Sequence, residues 1–568
     1  MSTIDSSEIL TDISVGVCSN VILNNFKNIF SGALSENGYS SDITIGDYDS
    51  ILIDSERFQN CDVIVVVWEL ANLYDGVQYS IELADQELLE QIEIRFKSEI
   101  DIVLKNTRNT KQVILTKFCS SSFDCYSDVS LKLSDVCIRL NEYISSKSQS
   151  NVSCIDTHKI FSLLGVNKSI DYRFFYSSKN IYTNDYLGEL SNRIITIINS
   201  IYGKTKKVLV LDCDNTLWKG IIGEDGLNGI DMSPNSRKGV FFAEVQSLYL
   251  QLQSRGIILA LCSKNNFNDV QAVIDSNKNM LIKDHHIAIK KINWEEKAEN
   301  ILNISNELNL GLDSFVFVDD SEFEIESVRL MIPDVLCVQV PKNLSEYPVV
   351  IRKLANMFSR TLVSKEDFNK TMIYKQEANR KALSREFKSR DEFLRSLELT
   401  MSIKVNSSIL TSRISQMTQK TNQFNLTTRR YSVSEIEAFI SSDVFDLVTF
   451  SVRDKFGDSG ECGLCILERH TDFVRINTLL MSCRVIGRNL EYAFFDSIMK
   501  FIVENYGDKI SKVYSEYMPT KKNMQVEKFY DDLGFQIISS EINNGVSYSL
   551  LINNYIPKLL DYIRIINE

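Results

Sequence analysis

The chain has little proline: six residues in 568, the first of them Pro234. Over its first third, therefore, Gly, Asn, Asp and Ser must separate the elements. Basic charge is not in excess. A formal charge of −13 and a pI near 5.1 argue against a nucleic-acid binder, which normally carries a basic face. Long apolar runs are missing as well. The densest early one, Val63–Trp68, suits a buried strand and is far too short to span a bilayer. The opening MSTIDSSEIL has neither a basic nor an apolar signal region, so the expectation is no signal peptide and a cytoplasmic location. There is no low-complexity tract and no internal repeat, which excludes fibrous and solenoid classes. The twelve cysteines follow no framework spacing. Several, such as Cys213, Cys262 and Cys337, sit inside apolar strands and read as reduced core thiols.

What is present is an ordinary globular composition, 44% hydrophobic and 24% charged, in a chain too long for one core. Residues 1–200 alternate short apolar strands (Ile13–Val17, Val63–Val67, Val113–Thr116) with helical spacing over Tyr79–Val103 and Ser130–Ser145, an α/β layer. From Lys207 the order becomes strand Val208–Leu211, helix Val240–Ser254, strand Ile257–Cys262, helix Trp294–Leu308, strand Phe315–Val318. Nearly continuous apolar strands in that order imply a doubly wound parallel sheet, whose functional residues collect beyond the strands' carboxyl ends. Residues 364–399 are charged and helical and read as a solvated linker. A mixed α/β region follows to the end.

Asp212 and Asp214 come directly after the strand VLVL. Residues two apart on a strand point the same way, so both carboxylates are expected at one reaction centre. Adjacent carboxylates repel unless a cation lies between them, and a hard divalent ion, Mg²⁺ above all, is the economical choice. One can then attack phosphorus while the other moves a proton. Three further positions suit the same chemistry. Ser263, ending LALCS, can bond a phosphoryl oxygen; Lys297, opening a helix, can neutralise phosphate; Asp319 and Asp320, ending VFVDD, can complete a metal site.

This ordered set resembles the haloacid dehalogenase-like (HAD) superfamily. The resemblance implies Asp212 as nucleophile, Asp214 as acid/base, Thr216 as loop support at the phosphate site, Ser263 and Lys297 as phosphate ligands, and a metal held among Asp212, Asp214, Asp319 and Asp320. Fifty-one residues separate Asp212 from Ser263 and thirty-four separate Ser263 from Lys297. Neither gap leaves room for a large cap domain, which suits a macromolecular substrate or one delivered by a neighbouring domain.

The words DCDNTLWKGIIGEDG, LCSKNN, INWEEKAENI, FVDDSEFE, TQKTNQFNLTTRRY, DKFGDSG, SCRVIGRNLE and PTKKN…FYDDLGF resemble, in unbroken order over about residues 170–540, the FkbH-like family. Cys213 and Lys219 depart from its usual pattern. The resemblance implies Mg²⁺-dependent dephosphorylation of an acyl phosphate, typically 1,3-bisphosphoglycerate, and capture of a glyceryl or related short acyl unit for a phosphopantetheinylated acyl carrier protein. It divides the chain into an SGNH-hydrolase-like module (1–200), a HAD-like domain without a large cap (201–345), a helical linker (346–400) and a GNAT-like acyltransferase domain (401–568).

Acyl capture requires a thiol near the phosphate site. Cys483, in SCR, is the choice, with Arg484 and Arg488 close in sequence to favour its thiolate. Cys213 is the runner-up, although its side chain should face the core. Cys462 and Cys465 form a single CxxC without a second pair, which disfavours zinc or redox use. GNAT-like folds hold a thioester's pantetheine arm in a split between strands, and here that split is expected to receive the carrier's arm. Lys420, Arg429, Arg430, Lys521, Lys522 and Asn523, with Arg484 and Arg488, are candidate contacts for its phosphate or for an acidic carrier. In the first module GVCSN (16–20) and Asp156-Thr157-His158 stand where a working hydrolase needs its triad, so Ser19 and His158 are the residues to watch in a module of structural role. The competing readings are a plain HAD phosphatase with a structural C-terminal domain, and a scaffold with a relic site.

Overall fold

A computed structural model of the chain describes residues 10–70, 81–122, 132–147, 149, 151–358, 370–384, 386–507, 510–520, 522–541 and 545–568. The chain divides into two compact units, Met1–Asn199 with Tyr431–Ala438, and Ser200–Arg430 with Phe439–Glu568.

The first unit holds β1 (Thr11–Ser19), β2 (Tyr39–Ile45), β3 (Val63–Val67), β4 (Gln112–Thr116) and β5 (Val152–Ile155), all parallel in the order β2-β1-β3-β4-β5. β3 and β4 are buried at every position, which is why their sequences run apolar without alternation. Helices Gln86–Asn106 and Lys132–Lys147 pack on the sheet through Phe96, Ile100, Val136 and Leu140. The first of these begins later than its spacing suggests, because Asp85 caps it by accepting from the Leu88 N–H. Tyr79, Ser80 and Ser130, at the heads of the two expected helices, lie outside the described residues.

The second unit carries two sheets. The first comprises β6 (Val208–Leu211), β7 (Ile258–Ser263), β8 (Ile287–Ile292), β9 (Phe315–Asp319) and β10 (Leu336–Gln339), parallel throughout in the order β10-β9-β6-β7-β8. Apolar clusters cover both faces, with Leu209 and Leu211 on one and Val208 and Val210 on the other. From β6 the chain winds outward through β7 and β8, then returns to place β9 on the opposite side. The carboxyl ends of β6 and β9 therefore flank the switch point where such sheets bind ligands.

The second sheet is mixed: β11 (Leu399–Val405), β13 (Phe445–Asp454), β14 (Gly457–Arg469), β15 (Phe473–Met481), β16 (Lys512–Tyr517), β17 (Gln536–Glu541), β18 (Gly545–Leu551) and β19 (Ile563–Asn567), ordered β17-β18-β16-β15-β14-β13-β11-β19. Its parallel pair β15/β16 is joined only over Phe473–Arg475 and Lys512–Tyr514, and beyond that the two strands part. A short strand, β12 (Phe424–Asn425), fills the opening. It pairs with Met481 and Leu480, while the Leu426 N–H donates to Leu479 and its carbonyl accepts from Met518 on the β16 side.

The charged stretch does not form the solvated linker that its composition suggests. Helix Lys370–Ser384 buries Tyr374, Glu377 and Arg380. Arg380 forks onto Asp454 of β13 at 2.6 and 2.8 Å, and Arg488 reaches the same Asp454 at 3.2 Å and Glu377 at 2.5 Å. Two cations thus match two buried carboxylates, so the helix is fixed to the mixed sheet by a closed ion network. Among the described residues no helix is long and apolar enough to cross a membrane.

Candidate active site

The DCDNT loop is shaped by its own side chains. Asn215 takes a left-handed φ of 50° and clasps Gly220 in both directions, its N–H donating to the Gly220 carbonyl and its Oδ1 accepting from the Gly220 N–H. Gln246 donates to the Leu217 carbonyl at 2.8 Å, and the Tyr347 hydroxyl donates to the Thr216 carbonyl. Asp212 is thereby presented at the carboxyl end of β6.

Lys297, the first residue of helix Lys297–Leu308, places Nζ 2.7 Å from Asp212 Oδ1 and 2.6 Å from Asp319 Oδ2. All three side chains are buried. Burial works against the ammonium, but the charges and hydrogen bonds of Asp212 and Asp319 outweigh it and hold the Lys297 pKa above the ordinary lysine range. Burial, then repulsion from Asp212, pushes Asp319 up to about 7. The same two causes raise Asp320. Oxygens of Asp212, Asp319 and Asp320 lie within 4.8 Å of one another. One ammonium against three carboxylates leaves negative charge over, and the donors are all hard oxygens. The residues present therefore fit a divalent cation such as Mg²⁺.

Asp214 stands outside this ligand set. Its Oδ1 accepts from Trp218 Nε1 at 2.9 Å and from the Ile222 N–H at 3.0 Å, and its Oδ2 accepts from Asn265 Nδ2 at 2.9 Å. The loop turns after Asp212, so the i, i+2 rule for a regular strand no longer brings the second carboxylate onto the metal cluster. Three donors instead fix it beside the centre, where a proton-moving group belongs. Asn265 also donates to Ser263 Oγ at 3.0 Å, so it ties Asp214 to Ser263. Sequence reasoning missed Asn265 and Trp218 as partners, although both lie inside the quoted words. Thr216 is fully buried, and its Oγ1 has no hydrogen-bond partner among the described residues. Its carbonyl accepts from the Tyr347 hydroxyl, so its backbone supports the loop. Between Asp212 and β7 the chain forms the helices Ile222–Gly229 and Gly239–Ser254, and no folded cap is inserted there.

Cys483 is not at this centre. It follows β15 in the short turn Cys483–Val485 and packs near the amino ends of β6 and β7, where it lines a cavity with Lys207 and Ile258. From Lys207 to Asp212 the strand covers about 16 Å at 3.3 Å per residue, so thiol and aspartate lie beyond opposite ends of the same strand. Nor do the expected arginines serve Cys483. Arg484 bonds the Glu461 carbonyl and, with Arg488, bears on the fully buried Cys462. Lys381, from the charged helix, has its own pKa lowered by burial. Cys213 faces the core as expected, and burial raises its thiol far above the ordinary range.

The remaining contacts scatter. Asn523 is wholly buried and accepts from Thr520 while donating to the Asn425 and Met518 carbonyls, so it holds β12 in place and faces no partner. Arg429 pairs with Glu516, Arg430 with the Gln419 carbonyl and Asn422, and Lys522 with Asp313. Lys420 lines the Cys483 cavity. Lys521 lies outside the described residues. With β12 seated between β15 and β16, the split expected to receive a thioester arm is occupied by the chain itself. In the first unit Ser19 Oγ donates to the Val21 carbonyl, and His158 instead stands 3.8 Å from Cys119 and 3.5 Å from Ser121.

No protein-family model matches the chain, and no curated protein matches it. Among solved structures, the N-terminal part of a Bacteroides fragilis protein, containing a phosphatase domain and solved with magnesium, aligns at a TM-score of 0.55 and 24% identity. It covers 62% of this chain and 95% of its own. The likeness shows a shared multidomain α/β fold with parallel sheets. The ribosomal-protein-S18-alanine N-acetyltransferase of Escherichia coli aligns over 28% of this chain and 99% of its own at 12% identity and a TM-score of 0.21. The GNAT domain of an S. lividans protein aligns over 26% of this chain and 89% of its own at 14% identity and the same TM-score, 0.21. Scores that low carry no argument about this chain.

Proposed function

We propose that the chain is a Mg²⁺-dependent phosphoryl-cleaving enzyme at Asp212 that also transfers a short acyl unit from an acyl phosphate, such as 1,3-bisphosphoglycerate, to an acyl carrier protein. The observation that carries the first half is the Asp212–Lys297–Asp319–Asp320 cluster at the switch point of the parallel sheet. Lys297 occupies Oδ1 of Asp212, and Oδ2 accepts no hydrogen bond among the described residues, so Oδ2 is the atom for attack. An Oδ–phosphorus bond forms, the phosphate-ester bond breaks, and the leaving oxygen takes a proton from Asp214. Water then attacks the aspartyl-phosphate, returning a proton to Asp214 and freeing phosphate. Bound Mg²⁺, held by Asp212, Asp319 and Asp320, supplies charge neutralisation at the transferred phosphoryl group.

Acyl capture is a different reaction and needs a different place. Bisphosphoglycerate carries a phosphate ester at one end and an acyl phosphate at the other. A Cys483 thiolate attacking the acyl carbonyl forms a carbon–sulfur bond and expels phosphate; exchange with the carrier's thiol then releases Cys483. Two sites beyond opposite ends of one sheet's strands suit two such steps. The same separation also favours the second reading, a plain phosphatase in which Cys483 has no part. Intact-protein mass spectrometry with candidate acyl phosphates and a carrier protein decides between them. Transfer predicts an acyl increment on the carrier that Cys483→Ala abolishes. Phosphate release with no increment on enzyme or carrier would leave the plain phosphatase.

A further inference from the structure

The turns after β7, β8 and β9 surround the mouth of the Asp212 site, and side chains cross-link all three. Lys264, next to Ser263, pairs with Glu324 at 2.9 Å and with Glu296 at 3.4 Å. The Asn293 N–H donates to the Ser263 carbonyl, and Asn293 Oδ1 accepts from the Glu295 N–H and from Asn300 at 2.7 Å. The rim is therefore fixed before any ligand arrives.

Two large aromatic side chains stand out from it. Trp294 is 70% exposed and Phe323 71%. Trp294 precedes Lys297 by three residues and Phe323 follows Asp320 by three. Each Cα thus lies within about 11 Å of the Cα of a residue in the acid cluster. The other two tryptophans, Trp68 and Trp218, are buried. Scattered exposed leucines need no explanation, but an indole left in water at the mouth of a reaction centre does. Trp294 Nε1 donates to Asn266 Oδ1 at 3.2 Å, and Asn266 follows Asn265, which holds Asp214 and Ser263. A ring already held in one orientation loses little freedom when a ligand stacks on it. No folded cap lies over the site, so this rim meets whatever the phosphoryl group is attached to.

We propose that Trp294, with Phe323, sets substrate choice at Asp212 by receiving the non-phosphate part of a phosphate monoester that carries a flat ring. The inference rests on the reading of Asp212 as the phosphoryl-cleaving centre and names the class of ester it prefers. The phosphate sits at the acid cluster, and the ring leaves the mouth against the indole face. A small ester still reaches Asp212 but leaves both aromatic side chains unused. The two residues therefore govern affinity and not the chemical step.

The test is calorimetric titration of the full-length protein in Mg²⁺ with 1-naphthylmethylphosphonate and methylphosphonate, neither of which can be cleaved as an ester. The naphthyl probe should bind about tenfold tighter or more, as for a well-placed aromatic pair with its buried area. Trp294→Ala should bring the two affinities together and leave that of methylphosphonate unchanged. Phe323→Ala should narrow the gap in part, and Trp294→Phe, which keeps a ring, should retain most of it. Excess methylphosphonate should displace the naphthyl probe, which places both at the Asp212 mouth and not in the cavity beside Cys483. No binding of the naphthyl probe, equal affinities in the native protein, a preference indifferent to Trp294→Ala, or failure to compete would overturn the inference. Phosphate release from 1-naphthyl phosphate is followed separately. Trp294-dependent binding without release would overturn the phosphoryl-cleaving reading and leave the aromatic rim in place.

Discussion

Lys297 and Asn309 stand at the two ends of one helix. Nζ of the first lies 2.7 Å from Asp212, and Nδ2 of the second donates at 2.6 Å to the Cys483 carbonyl. The twelve residues of that helix, Lys297–Leu308, span about 18 Å at 1.5 Å per residue. One rigid element thus separates the carboxylate chemistry from the thiol while fixing both.

Magnesium should stabilise the protein through the acid cluster. A ligand at a hundred times its Kd contributes about 2.7 kcal/mol, so millimolar Mg²⁺ should raise the melting temperature by a few degrees. Asp320→Ala, which removes the least buried of the three carboxylates, should largely cancel the shift in a thermal melt.

Lys297→Met leaves Asp212 and Asp319 buried without their cation. Breaking such a pair costs roughly 3–5 kcal/mol, and phosphate release should fall by about a thousandfold. Chemical denaturation should show added Mg²⁺ restoring part of the stability. Activity should stay lost, because the metal replaces the charge and not the ammonium's position.

Asn265→Ala cuts the link between Asp214 and Ser263. We expect kcat for phosphate release to fall roughly ten- to hundredfold, as when a supporting contact at a metal site is removed, with the Mg²⁺-dependent melting shift unchanged. A loss of the melting shift instead would place Asn265 in the metal site rather than beside it.

Acid should loosen the charged helix at a defined place. Asp284 accepts from Lys290 of β8 and from Lys375 of the helix, and these hydrogen bonds lower its pKa to about 2. Its unfolded value is near 3.9, so the contribution is complete above about pH 4 and is lost as pH falls toward 2. Asp284→Asn should therefore lower stability at pH 6, and the gap to the native protein should close through that window in urea melts.

Arg380→Ala should be among the most damaging changes distant from either site. It leaves two buried carboxylates, Asp454 and Glu377, to the single cation Arg488, at roughly 3–5 kcal/mol. Hydrogen exchange should accelerate first over residues 370–384. A loss under about 1 kcal/mol would show that Arg488 alone satisfies both carboxylates.

The parallel sheets were legible because buried strands such as VLVL and FVFVD announce themselves by composition, and short carboxylate words at their ends announce the switch point. The placement of Asp212, Lys297, Asp319 and Asp320 followed from that. Asp214 was expected among the metal ligands because the strand rule was carried three residues past the strand, into a loop that Asn215 turns. The helix 370–384 read as solvated because Arg380 and Glu377 look like surface charges until Asp454 and Arg488, more than 70 residues on, are brought against them. Cys483 was assigned by chemical need, and its distance from Asp212 depends on how two sheets pack, which no local word encodes. The same holds for β12, two residues that fill the opening between strands far from them in sequence.

The separation of the two chemistries is tested most directly by giving Asp212→Asn and Cys483→Ala the same acyl phosphate that also bears a phosphate ester. Each reaction is followed by intact mass and by released phosphate. We predict that Asp212→Asn loses ester hydrolysis but still gains the acyl increment on Cys483, and that Cys483→Ala does the reverse. Loss of both activities in folded Asp212→Asn would contradict the account, because it would make thiol and aspartate parts of a single centre.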